Sequence, residues 1–119
     1  MTAKRAVEYR GVRPVVPPVR VLVWPMRIWP PTRVRFGADT PLWQRALGVQ
    51  LSKVLPGELI EMAVTQAGDL LCRITFDIEI DRERRKESML LPTTDLWEPA
   101  TVEDAQRLRT LATELDIRW

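Results

Sequence analysis

The stretch Trp24–Phe36, WPMRIWPPTRVRF, sets two tryptophans among three arginines and three prolines. Guanidinium groups neutralise phosphates and release their counterions, and an exposed indole stacks on a nucleobase for about 1–3 kcal/mol. Side chains of an extended strand alternate between faces. Read that way, Arg27, Trp29, Arg33 and Arg35 share one face, while Leu22, Trp24, Met26, Ile28, Val34 and Phe36 share the other. Arg13 and Arg20, just upstream, extend the basic character. Trp and Arg are also the residues that dominate protein interfaces. The residues singled out as a binding surface are therefore Arg13, Arg20, Arg27, Trp29, Arg33 and Arg35, with nucleic acid (DNA or RNA, single-stranded or duplex) or a protein as the partner.

Other reactive groups are sparse. The chain has no histidine, which removes the commonest general base and metal ligand. Its one cysteine, Cys72, falls on the apolar side of an alternating segment, where a thiol acts as a small hydrophobe. The five glycines form no phosphate-binding loop. Asp77, Glu79 and Asp81 stand two residues apart, but oxygen-ligand cation sites draw carboxylates from several elements, and a linear row solvates a sheet face instead. The basic cluster Arg82, Arg84, Arg85 and Lys86 is diluted by Asp81, Glu83 and Glu87 and reads as a charged turn. These observations predict a protein that is not an enzyme, with no catalytic residues, cofactor or metal.

Charge is unevenly distributed. Residues 1–45 hold nine Lys/Arg against two Asp/Glu, a net of +7, and the rest hold nine against fourteen, a net of −5. A basic segment on an acidic body seeks an anionic partner, or else binds the body itself. Arginines and prolines interrupt every apolar run in the first 25 residues, and no run approaches the ~20 residues of a membrane-spanning helix. The expectation is a cytoplasmic chain without a signal peptide, and a single cysteine gives no internal disulfide.

The elements that must position these groups follow from periodicity and punctuation. The 119 residues suffice for one domain. Residues 1–18, ending in RPVVPP, read as an extended proline-rich basic arm, and residues 19–119 as a single α+β domain. Val19–Phe36 reads as an edge strand, or as two strands bent at Pro30–Pro31, because Pro25, Pro30 and Pro31 cannot donate to a ladder. Thr40 and Pro41 predict the start of a helix that stops at Pro56–Gly57. Leu70–Ile80 is apolar at every second residue, Leu59–Thr65 sets Ile60, Met62 and Val64 on one face, and the two segments, joined by Gln66–Asp69, predict a hairpin. A turn over Asp81–Glu87 then leads to a third strand at Ser88–Leu91. Thr101 and Asp104 form a capping-box variant before an amphipathic helix, Val102–Leu115.

Strands clustered around one internal helix predict an antiparallel sheet, or a partly open barrel of the OB-like or SH3-like kind. The expected function is a small nucleic-acid-binding accessory protein. The alternative is an adaptor or structural subunit of a larger assembly or of a homo-oligomer, docking through the proline-rich arm.

Overall fold

A computed structural model describes residues 11–30, 42–51, 53–93 and 95–114. Five strands form one antiparallel sheet, curled into a half-barrel, and a C-terminal helix packs against its β1 and β5 strands. The elements are β1 (Val12–Val23), α1 (Pro25–Ile28), α2 (Leu42–Leu47), β2 (Leu55–Val64), β3 (Leu70–Ile80), β4 (Glu83–Pro92), β5 (Trp97–Pro99) and α3 (Val102–Glu114). The strand order is β4-β3-β2-β1-β5, which places β4 at one margin and the three-residue β5 at the other. The fold is α+β. No helix among the described residues is long and apolar enough to cross a membrane.

The strand β3 follows the alternation of its sequence. Leu70, Cys72, Ile74, Phe76 and Ile78 are buried on the inner face, and Arg73, Thr75, Asp77 and Glu79 look outward. The hairpin to β2 is closed by Thr65, whose N–H donates to the Asp69 carbonyl and whose hydroxyl accepts from the Asp69 N–H. Gly68 in that turn has φ +90°, a left-handed value open to glycine without strain.

Several expectations are corrected here. The predicted internal helix is cut to Leu42–Leu47, and the residues before Pro56–Gly57 turn into β2, which begins at Leu55. Gly48 ends the helix, its N–H donating to the Gln44 carbonyl at 2.8 Å. The predicted Thr40 cap and Pro41 start lie outside the described residues. Secondly, Ile60 does not share a face with Met62 and Val64. A bulge between Leu59 and Glu61 moves the buried parity from Leu59 to Met62.

Thirdly, the charged turn after β3 is only two residues long. Asp81 and Arg82, with φ 54° and 62°, take the doubly left-handed geometry of a type I′ turn. Arg84, Arg85 and Lys86 thus belong to β4, with Glu79 opposite Arg84 and Asp77 opposite Lys86. Fourthly, the predicted strand through Phe36 ends at Val23. The next residues form the helical turn α1, because Pro25 at its start suits helix and not ladder. Residues 31–36 lie outside the described residues.

The expected boundary at residue 18 falls within β1, whose Val12–Pro14 and Val19–Val23 both pair with β2. Val15, Val19, Val21 and Val23 are buried, so from Val19 to Val23 the odd residues face the core and Leu22 does not. At the other end of the chain, Thr101 caps α3 as its sequence predicts. Its hydroxyl accepts from the Asp104 N–H at 3.1 Å and donates to the Asp104 carboxylate at 2.6 Å. Leu108, Leu111 and Ala112 carry the buried stripe, whereas Val102 is 71% exposed. Leu115 lies outside the described residues. Arg107 reaches β1 and donates to the Pro18 carbonyl at 3.3 Å.

The strand β5 is announced by no alternation. It is held by Trp97, which is buried and paired opposite Val23, with its indole N–H donating to the Pro92 carbonyl at 2.9 Å.

Candidate binding surface

Of the arginines read from the sequence, the three that are described, Arg13, Arg20 and Arg27, do not share one face. Arg13 lies opposite Met62, on the inner side of the sheet, and its Nη1 meets Glu114 Oε2 of α3 at 2.6 Å. Arg20 lies opposite Glu58 on the outer side, and its Nη2 is 3.6 Å from Asp104 Oδ2. The Arg27 guanidinium, in α1, stands 4.6 Å from the centre of the Trp24 ring and donates to the Asp95 carbonyl at 2.7 Å. Stacking of a cation on an indole satisfies the charge and covers the ring together. Arg33 and Arg35 lie outside the described residues.

The face assignment of the tryptophans is also corrected. Trp29 is half-buried and packs on the core, its ring centre 6.4 Å from that of Phe76 at an interplanar angle of 53°. Met26, placed by parity in the core, is exposed. Both reversals have one cause: α1 advances about 100° per residue where a strand advances 180°, so alternation stops carrying information at Pro25.

What the fold does assemble is a groove of ≈470 Å³ on the outer face of β1–β4. Cross-strand register sets Arg20, Glu58, Thr75 and Ser88 in one row, from β1 to β4. Leu22 opposite Pro56, and Asp77 opposite Lys86, flank it. With strands ~4.8 Å apart, the row from Arg20 to Ser88 spans about 14 Å. The groove carries cations at its two ends, Arg20 and Lys86, carboxylates between them, Glu58 and Asp77, and an apolar strip of Leu22 and Pro56. The Arg20 side chain is 70% exposed, so its pairing with Asp104 leaves it accessible.

Gly57 sits beneath this surface. A Cβ there would lie 2.9 Å from the Thr75 carbonyl oxygen and 3.2–3.3 Å from methyl groups of Val23 and Val21. Its missing side chain lets β2 lie tightly between β1 and β3. Along the same outer face, Glu61 accepts from Arg73 Nε at 3.3 Å. The Cys72 thiol is buried, which pushes its pKa up to about 12 and keeps it protonated and unreactive near neutrality. Among the described residues, no three His, Cys, Asp or Glu side chains gather in a way that could hold a metal ion. The row Asp77, Glu79 and Asp81 is instead spread along a strand and its turn, facing Lys86 and Arg84.

Of the groove residues, Arg20 is legible in the sequence as a candidate. Thr75 and Asp77 follow from the alternation of β3. Lys86 and Glu58 do not, because Lys86 requires the two-residue turn and Glu58 requires the early start of β2. Comparison of the chain with protein-family models, with curated proteins and with solved structures found no match.

Proposed function

We propose that this protein is a non-catalytic binding subunit that engages a protein partner across the outer face of its sheet. The observation that supports this reading is the charge order of the groove, with Arg20 and Lys86 outside and Glu58 and Asp77 between them. Two central carboxylates repel a phosphate chain but accept the mixed charges and apolar contacts of a protein surface. The curled sheet with its helix supplies an OB-like or SH3-like binding scaffold in this reading. Because Val12–Pro18 lies within β1, the docking surface is assigned to the sheet face and not to a projecting arm. A single, buried thiol suits a reducing cytoplasm and gives no nucleophile for catalysis.

The test begins with affinity capture by the whole chain from extracts of its source cell. The captured protein, once purified, is titrated against the wild type and the double variant Arg20→Gln/Lys86→Gln. Loss of two interface charges weakens binding at least about tenfold, while the fold, read by circular dichroism, is retained. Unchanged affinity overturns the assignment.

A second reading, nucleic-acid binding, draws on the sequence outside the described residues. Residues 1–10 carry Lys4, Arg5 and Arg10 against Glu8, and residues 31–41 carry Arg33 and Arg35 against Asp39. Titration of tryptophan fluorescence with DNA and RNA oligonucleotides at rising salt separates the two readings. Steeply salt-dependent binding favours nucleic acid, and flat traces at low salt remove it.

A further inference from the structure

We infer that two copies of this chain associate edge to edge through β4, antiparallel, with Ser88 on the two-fold axis. The inference is independent of the partner reading above. It starts from the margins of the sheet. On one side, β5 covers only Val21–Val23 of β1, and the remainder of that edge carries Pro14, Pro17 and Pro18, which cannot donate to an added strand. On the other side, β4 pairs with β3 in unbroken register from Glu83 to Pro92. Its outer edge pairs with no strand among the described residues. A long regular edge of this kind is a template for another strand.

The hydrogen-bond phase of this edge follows from its turn. Ile80 and Glu83 close the two-residue turn as a bonded pair, so the odd residues of β4 direct their backbone groups at β3. The even residues Arg84, Lys86, Ser88 and Leu90 present theirs to the open side. A two-fold axis normal to the sheet keeps inner faces on one side, so even residues oppose even and odd oppose odd.

Charge then selects the register. Centring the axis on Arg85 or Lys86 sets a cation against its own copy, and centring it on Glu87 sets carboxylate against carboxylate. With Ser88 at the axis, Lys86 opposes Leu90, Glu87 opposes Met89 and Arg85 opposes Leu91. This is the longest self-pairing in which no like charges face each other. The aliphatic stem of Lys86 covers Leu90, which is 39% exposed in the single chain. The Ser88 pair and the two Lys86–Leu90 pairs close the ladder, which ends where the Pro92 carbonyl is taken by the Trp97 indole. The row Arg20, Glu58, Thr75 and Ser88 continues directly into its copy, so the outer faces join across ten strands.

Two single-cysteine additions to the full chain test this register. Bonded antiparallel residues stand ~5.5 Å apart at Cα, within disulfide reach, whereas a four-residue offset lies far outside it. Cys72 is buried and does not compete. Under mild oxidation, Ser88→Cys is expected to form an intermolecular disulfide at least about tenfold faster than Lys86→Cys. Sedimentation equilibrium of the unmodified chain is expected to show a concentration-dependent doubling of mass. A chain that stays monomeric to millimolar concentration overturns the inference. Cross-linking of Lys86→Cys as fast as Ser88→Cys overturns it equally, since that would place the axis elsewhere.

Discussion

Replacing Gly57 with alanine inverts the usual effect of that substitution. Gly→Ala at an unconstrained site stabilises by about 0.4–1 kcal/mol, because the unfolded chain loses freedom. At Gly57 the new methyl would stand 2.9 Å from the Thr75 carbonyl oxygen, closer than a real Cβ approaches, and 3.2–3.3 Å from two valine methyls. Val21 and Val23 are 1% and 0% exposed, so both methyls are packed within the core. The carbonyl belongs to the β2–β3 ladder and cannot retreat without lengthening its bonds. Overpacking of this kind destabilises by about 1–3 kcal/mol. Urea unfolding followed by circular dichroism is the assay, with an unchanged slope as the sign that only stability has moved. Gly11, with nothing within 4 Å of a built Cβ, is the control, and Gly11→Ala should be neutral or stabilising. Should Gly57→Ala match or exceed the wild type, the tight seating of β2 under the groove would be refuted.

Trp29→Ala should destabilise the fold by at least about 1 kcal/mol, since the indole packs on Phe76, and stability unchanged within error would return Trp29 to the surface. Arg82→Gly should stabilise by about 1 kcal/mol, because glycine takes the φ of 62° without a Cβ penalty, and a fall in melting temperature would contradict the type I′ turn. Cys72 is raised from 9.0 to about 12, so between those values the unfolded chain releases a proton that the native one keeps. Its contribution is therefore whole below pH 9 and declines as pH rises toward 12, by at most about 1.4 kcal/mol per unit. Cys72→Ala should flatten that segment of the stability curve, and an equally steep decline in the variant would assign it to other groups.

What local chemistry controls was legible in the residues alone. The strict alternation of Leu70–Ile80 specified its strand and both its faces, and Thr101 with Asp104 specified the start of α3. Those features depend on neighbours within a few residues, where period and capping act directly. Tertiary structure decided the rest. A one-residue bulge at Ile60 reverses parity within β2, and no local signal reports it because the partner strand sets the count. The two left-handed residues Asp81 and Arg82 move three cations from a loop into β4. Trp97 becomes core only because β1 offers Val23 as its neighbour. The candidate binding surface shows the same division: Trp24–Phe36 advertises arginine and tryptophan, but the fold turns Trp29 inward and ties Arg27 to Trp24 and Asp95. The strand residues that line the groove come from four strands, 66 residues apart between Arg20 and Lys86, and register is a property of the assembled sheet, not of any segment in it.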